Sequence, residues 1–186
     1  GLSVYALLTG AISTMLLERA QQMGDRAMDL NILEDHIVIC GWNNDIFDVL
    51  ATLMCTTSRN ILIIAEEPLQ EIASPRVMLL KGSPSTKETL LMGQIEEAFS
   101  AIILSERQEG HSSKDSDANS ILTALALNIC NPNLHITIEL QDPNNIEHAQ
   151  NAGANDFITA TAYQGALLAQ SASSPGVAKI FARIFI

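Results

Sequence analysis

The chain has 186 residues, 47% of them hydrophobic, and its 21 Asp and Glu against 10 Lys and Arg give a formal charge of −11. That length bounds one globular domain with an appendage, and an acidic chain without a clustered Lys/Arg patch argues against a nucleic-acid partner. Its three cysteines, Cys40, Cys55 and Cys130, are widely spaced in apolar segments and read as small reduced core residues, which suits a cytosolic compartment.

Both ends read as cut: the chain opens on Gly1 and closes on the apolar stretch Phe181 to Ile186. Residues 1–17 contain no charged residue. As a helix they would cover roughly 25 Å, slightly short of the ~30 Å hydrocarbon core of a bilayer. No basic segment precedes them, as a signal peptide would require. Two readings stay open: a helix buried in a core or docked on a partner, or the cytoplasmic end of a transmembrane helix whose start has been removed. Glu18 and Arg19 then begin a mixed polar linker over residues 18–35.

From His36 the pattern becomes regular. A wholly apolar, β-branched run, Ile37 to Cys40, ends at Gly41 and passes into a helix over Ile46 to Met54. Further strands are predicted at Asn60–Ala65, Val77–Leu80, Ala101–Leu104, Ile136–Leu140 and Phe157–Thr159. Pro68 opens a short helix over Leu69 to Ala73, and Ser85 with Glu88 forms a capping box for the helix after the third strand. Ser105 to Asn119 reads as a polar loop, followed by a helix over Ile121 to Ile129. Asp142-Pro143 caps a helix that Gly153 ends, and a small-residue helix from Tyr163 to Ala172 is broken at Pro175-Gly176. Strands alternating with helices predict an α/β, Rossmann-like, doubly wound parallel sheet over residues 36–160, with strand order 3-2-1-4-5-6. Residues 161–186 would be helical.

In such a sheet a ligand binds outside the carboxyl ends of strands one and four, where helix N-termini present free N–H groups. The groups brought there by sequence order are Gly41, Trp42, Asn43 and Asn44 after strand one, Glu66 after strand two, Gly82 and Ser83 after strand three, Ser105 and Glu106 after strand four, and Glu139 and Gln141 in or after strand five. Glu66 stands where a ribose-hydroxyl acceptor is expected. The dinucleotide fingerprint G-x-G-x-x-G is altered, because Asn43 and Ile46 occupy its second and third glycine positions. A sheet that keeps its shape around an altered or empty pocket is therefore the competing reading. Asp115 and Asp117 form a D-x-D pair that a polar loop would leave solvated. No catalytic triad or hydride-transfer acid can be argued from residue order, which predicts a non-catalytic domain.

Several motifs in order resemble one family: His36-Ile37-Val38-Ile39-Cys40-Gly41-Trp42, Ala65-Glu66, Gly82, Ala101-Ile102-Ile103-Leu104, and Asn151-Ala152-Gly153-Ala154-Asn155-Asp156-Phe157-Ile158. Together they are similar to the RCK domain, the regulator of K⁺ conductance of ligand-gated potassium channels (the KTN or TrkA-N type). Ile32-Leu33-Glu34-Asp35-His36 and Ser174 to Ile180 also resemble Castor/Pollux-type channels. The resemblance implies a cytoplasmic domain beneath a tetrameric pore in the cell membrane. Residues 1–17 would be the end of the pore-lining inner helix, and residues 161–186 the crossover helices through which domains pair into a ring. It implies NAD or an adenine nucleotide in the crevice. Some members instead hold Ca²⁺ by carboxylates, and here Glu139 matches one of these, with Ser105 and Gln141 at the others. The function implied is gating of a potassium channel by ligand. The alternatives are the same domain in a Kef/Trk-type transporter, an NAD-dependent oxidoreductase fragment, or an assembly domain with a vestigial pocket.

Overall fold

A four-residue strand buried along its whole length needs partners on both edges and cover on both faces. Ile37–Cys40 (β1) is such a strand. In the computed structural model, which describes residues 33–66, 72, 74–105, 113–177, 179 and 180, β1 lies between β2 (Ile61–Ala65) and β4 (Ser100–Ile103). Both pairings are parallel, with Val38 opposite Leu62 on one side and Ala101 on the other. With β3 (Val77–Lys81), β5 (His135–Leu140) and β6 (Asp156–Thr159) they form one six-stranded parallel sheet of order β3-β2-β1-β4-β5-β6, as the sequence predicts.

Because side chains alternate along a strand, β1 feeds two cores. Val38 and Cys40, with Leu62, Ile64, Ile103 and Ile138, pack beneath α2 (Lys87–Met92), α3 (Ser113–Cys130) and α4 (Ile146–Asn151) through Leu90, Leu127 and Ala149. Ile39, with Ile61, Ile63 and Val77, packs beneath α1 (Ile46–Thr56) through Ile46 and Leu50. Arg76 fixes the far end of α1: its guanidinium donates to the carbonyls of Thr57 (2.7 Å) and Met54 (3.0 Å), where the helix dipole is negative. A fifth helix, α5 (Ala160–Ser173), follows β6 and ends before Pro175 and Gly176.

Three local expectations change. The helix after β3 begins at Lys87 with Thr86 as its cap residue, so Ser85 and Glu88 form no capping box. Instead Thr86 Oγ1 reaches the Ser83 carbonyl at 3.0 Å and Thr89 Oγ1 at 2.8 Å. Helix α3 starts at Ser113, not near Ile121, so residues 113–119 are helix and not loop. Asp142 caps as expected, accepting from the Asn144 N–H at 2.9 Å, but the first turn is 3₁₀ and the α-helix begins at Ile146. The expectations for residues 1–32, for the helix at 69–73 apart from Ile72, and for residues 181–186 lie outside the described residues. Among the described residues no helix is long and apolar enough to cross a membrane.

The chain enters β1 through a tight, polar junction. Asp35 has φ +52, donates its N–H to the Glu97 carbonyl (2.9 Å) and faces Arg59 at 3.1 Å, while the Arg59 guanidinium lies 3.7 Å from the Phe99 ring centroid. The next residue, His36, is fully buried and its Nε2 donates to the Gly93 carbonyl at 3.1 Å. Its Nδ1 is buried without a hydrogen-bond partner, so a second proton there would find no acceptor. Burial holds the imidazole pKa below its usual 6.5, against smaller opposing effects of the Gly93 carbonyl and Asp35. The neutral ring's contribution to stability is therefore complete above pH 6.5 and is lost as the pH falls from there toward the lower folded-state value. Urea unfolding at pH 7.5 and pH 5 should show a smaller loss of stability on acidification in His36→Gln than in the parent chain. Equal losses would place the pH dependence elsewhere.

Candidate functional site

At the carboxyl ends of β1 to β4 the sheet opens into a cavity of about 240 Å³. Gly41 turns the chain out of β1 with φ +91 and ties itself to β2 by donating to the Ile64 carbonyl at 2.9 Å. The cavity is lined by Cys40 and Gly41, by Glu66, by Ser83, Pro84 and Ser85, and by Ile103 and Leu104. Among the described residues a further wall is α3, through Ser116, Asn119, Ser120, Leu122 and Thr123. Burial pushes the Cys40 thiol up to about 12, so this part of the cavity behaves as an apolar surface and not as a nucleophile.

Of the residues expected at the crevice, Gly41, Glu66 and Ser83 line the cavity. Gly82 lies just behind it, donating to the Ala65 carbonyl at 3.0 Å. Trp42 turns away to pack edge-on against Phe47, with ring centroids 6.0 Å apart, and Asn44 is exposed. Glu106 lies outside the described residues. The wall contributed by α3 was not legible, because Ser113 to Asn119 is polar enough to read as loop. The signal that could have found it is the spacing of Ser116, Asn119, Ser120 and Thr123, which puts four small polar groups on one helical face beside the core residues Ala124 and Leu127.

Asn43, Ser105 and Glu139 meet in a buried polar network behind the first turn. Asn43 Nδ2 donates to Glu139 Oε2 (2.9 Å) and to the Ser105 carbonyl (3.1 Å), while its Oδ1 accepts from the Asp45 N–H at 3.0 Å. The Ser105 N–H donates to the same Glu139 oxygen at 3.0 Å, and the Ser105 and Ser116 hydroxyls are 2.7 Å apart. One carboxylate oxygen thus joins the ends of β1, β4 and β5, and the hydroxyl pair extends the network to the cavity wall. Asp117, expected to be solvated, is fully buried: its two oxygens accept from the Gln141 N–H (2.8 Å), the Asp142 N–H (3.0 Å) and Asn145 Nδ2 (2.7 Å).

Calcium takes six to eight oxygen ligands, several of them carboxylate. Among the described residues no group of three or more His, Cys, Asp or Glu could hold a metal ion. Glu139 commits Oε2 to two donors. Glu66 and the α3 hydroxyls suit a sugar and base, but at the first turn the Asn43 side chain occupies the N–H of Asp45 that a phosphate would need.

The slowpoke-like RCK domain model of calcium-activated potassium channels matches residues 32–138, more than half of the chain. The chain belongs to this RCK family. Over 182 residues it is 25% identical to the calcium-gated potassium channel TvoK of Thermoplasma volcanium, covering 95% of this chain and 51% of that one. It is 23% identical over 200 residues to the ion channel POLLUX of Lotus japonicus, covering 97% of this chain and 21% of that one. Among solved structures, the GsuK channel bound to NAD superimposes with a TM-score of 0.56 at 18% identity, covering 68% of this chain and 22% of that one, which is a likeness of fold. This RCK chain therefore spans about half the length of TvoK and less of POLLUX.

Proposed function

We propose that this RCK domain is a non-catalytic, ligand-sensing gating module of a potassium channel, lying on the cytoplasmic side of the cell membrane. The observation that carries the reading is the alignment with TvoK. It runs over 95% of the chain, so it reaches through the linker into the apolar segment ahead of the Rossmann unit as well as over the unit itself. In this reading residues 1–17 are the end of a pore-lining transmembrane helix, residues 18–35 the linker that carries force, and residues 161–186 the helices that pair domains into a ring under a tetrameric pore. The crevice ligand is of the adenine-nucleotide type, supported by Glu66 at the end of β2 and by the likeness of fold to NAD-bound GsuK. Calcium, which gates TvoK, is the competing effector.

Gating requires only that the ligand bind the open ring better than the closed one. A coupling of ~1–3 kcal/mol per site, repeated around a ring, is sufficient to move a gate. Thermal unfolding of the chain with adenosine, ADP, ATP, NAD⁺, NADH, Ca²⁺ or Mg²⁺ added separately tests the reading. A binding ligand at ~100 times its dissociation constant stabilises by about 2.7 kcal/mol. The expected result is a shift with an adenine compound that Glu66→Ala abolishes. A shift with Ca²⁺ alone would replace the effector, and no shift with any of them would leave an assembly domain.

A further inference from the structure

We propose that the crevice selects its ligand as a ribonucleoside, by base and sugar diol, and rejects a diphosphate at the first turn. The inference rests on the nucleotide reading above and narrows it. Two separate features of the structure support it.

The first is the cavity itself. At about 240 Å³ it falls below the ~300–1,000 Å³ of pockets that hold drug-sized ligands, a size that suits a nucleoside. Its chemistry is divided as a nucleoside is. Ile103 and Leu104 offer apolar contact to the face of a base, while Ser85, Asn119 and Ser120 offer neutral donors and acceptors to its edge. Among the described lining residues Glu66 supplies the one carboxylate, an acceptor for two vicinal hydroxyls.

The second is the first turn, which is built against phosphate. A dinucleotide fold leaves helix N–H groups free there and uses glycine so that the pyrophosphate can approach the backbone. Here the Asn43 side chain is buried at that position and pinned from two sides by the Ser105 carbonyl and Glu139, while its Oδ1 takes the Asp45 N–H. Asp45 and Asp48 also place negative charge at the start of α1. A diphosphate would have to displace a buried amide and then sit beside carboxylates.

The test is calorimetric titration of the full chain with adenosine, AMP, ADP and NAD⁺ at fixed ionic strength. Adenosine should bind at least as tightly as AMP, and ADP and NAD⁺ about tenfold or more weaker. Glu66→Gln, a change at an exposed position, should weaken adenosine about tenfold and leave 2′,3′-dideoxyadenosine unaffected. Asn43→Gly, which reopens the turn, should improve ADP relative to adenosine. ADP or NAD⁺ binding as tightly as adenosine would overturn the inference while keeping the nucleotide site. The absence of binding by any nucleoside or nucleotide would overturn both.

Discussion

Asp117→Ala should lower the unfolding free energy of this RCK domain by about 3–5 kcal/mol. The carboxylate is fully buried on α3 and takes three hydrogen bonds, two of them from the backbone N–H groups of Gln141 and Asp142, where the chain leaves β5. Removing it strands those donors as well as losing the bonds, and the stranded groups dominate the cost. Asp117→Asn should recover less than half of the loss, because its amide turns an N–H toward groups that are themselves donors. Asp142→Ala, which removes only two exposed bonds from Asn144, one from its N–H and one from its Nδ2, should cost only about 1 kcal/mol. Urea unfolding of the three variants measures the series. A loss below about 1 kcal/mol in Asp117→Ala would show that α3 is held to β5 by its apolar face alone.

The second large effect is expected at Gly153. Its φ of +101 lies where L side chains are strained, and a Cβ built there would stand 2.4 Å from Cγ and 2.7 Å from Nδ2 of Asn128 on α3. Gly153→Ala should therefore cost about 2–4 kcal/mol, part backbone strain and part displacement of Asn128. The two parts can be separated by a double-mutant cycle. In an Asn128→Ala background the steric part is reduced and the substitution should cost about 1 kcal/mol less, while the strain remains. Strict additivity would mean that Asn128 moves aside freely. The same turn explains why Asn155 follows. Its Oδ1 accepts from the Ile136 N–H (2.7 Å) and its own N–H donates to the Ile136 carbonyl (2.8 Å), which starts the β5–β6 pairing. The family-like segment Asn151 to Asp156 is thus a helix stop and a strand start in consecutive residues.

The sequence by itself determined the α/β architecture, the strand order and the place of the crevice. Each of these follows from local patterns: buried β-branched runs, the alternation of strand and helix periods, and the handedness of crossovers. It also placed Gly41, Glu66 and Ser83 at the cavity, since each ends or follows a strand. Tertiary structure decided what happens to the polar residues. Ser116 and Asp117 read as loop because serine and aspartate compete with helix hydrogen bonds when water is their only partner. In the fold they face Ser105 and the β5 turn, whose donors make a helix the better state for them. Asn43 and Glu139 were legible as crevice residues, yet their pairing across 96 positions of sequence closes the first turn instead of lining the cavity. Periodicity reports which residues leave water; only the assembled sheet decides which polar groups satisfy one another and which remain for a ligand.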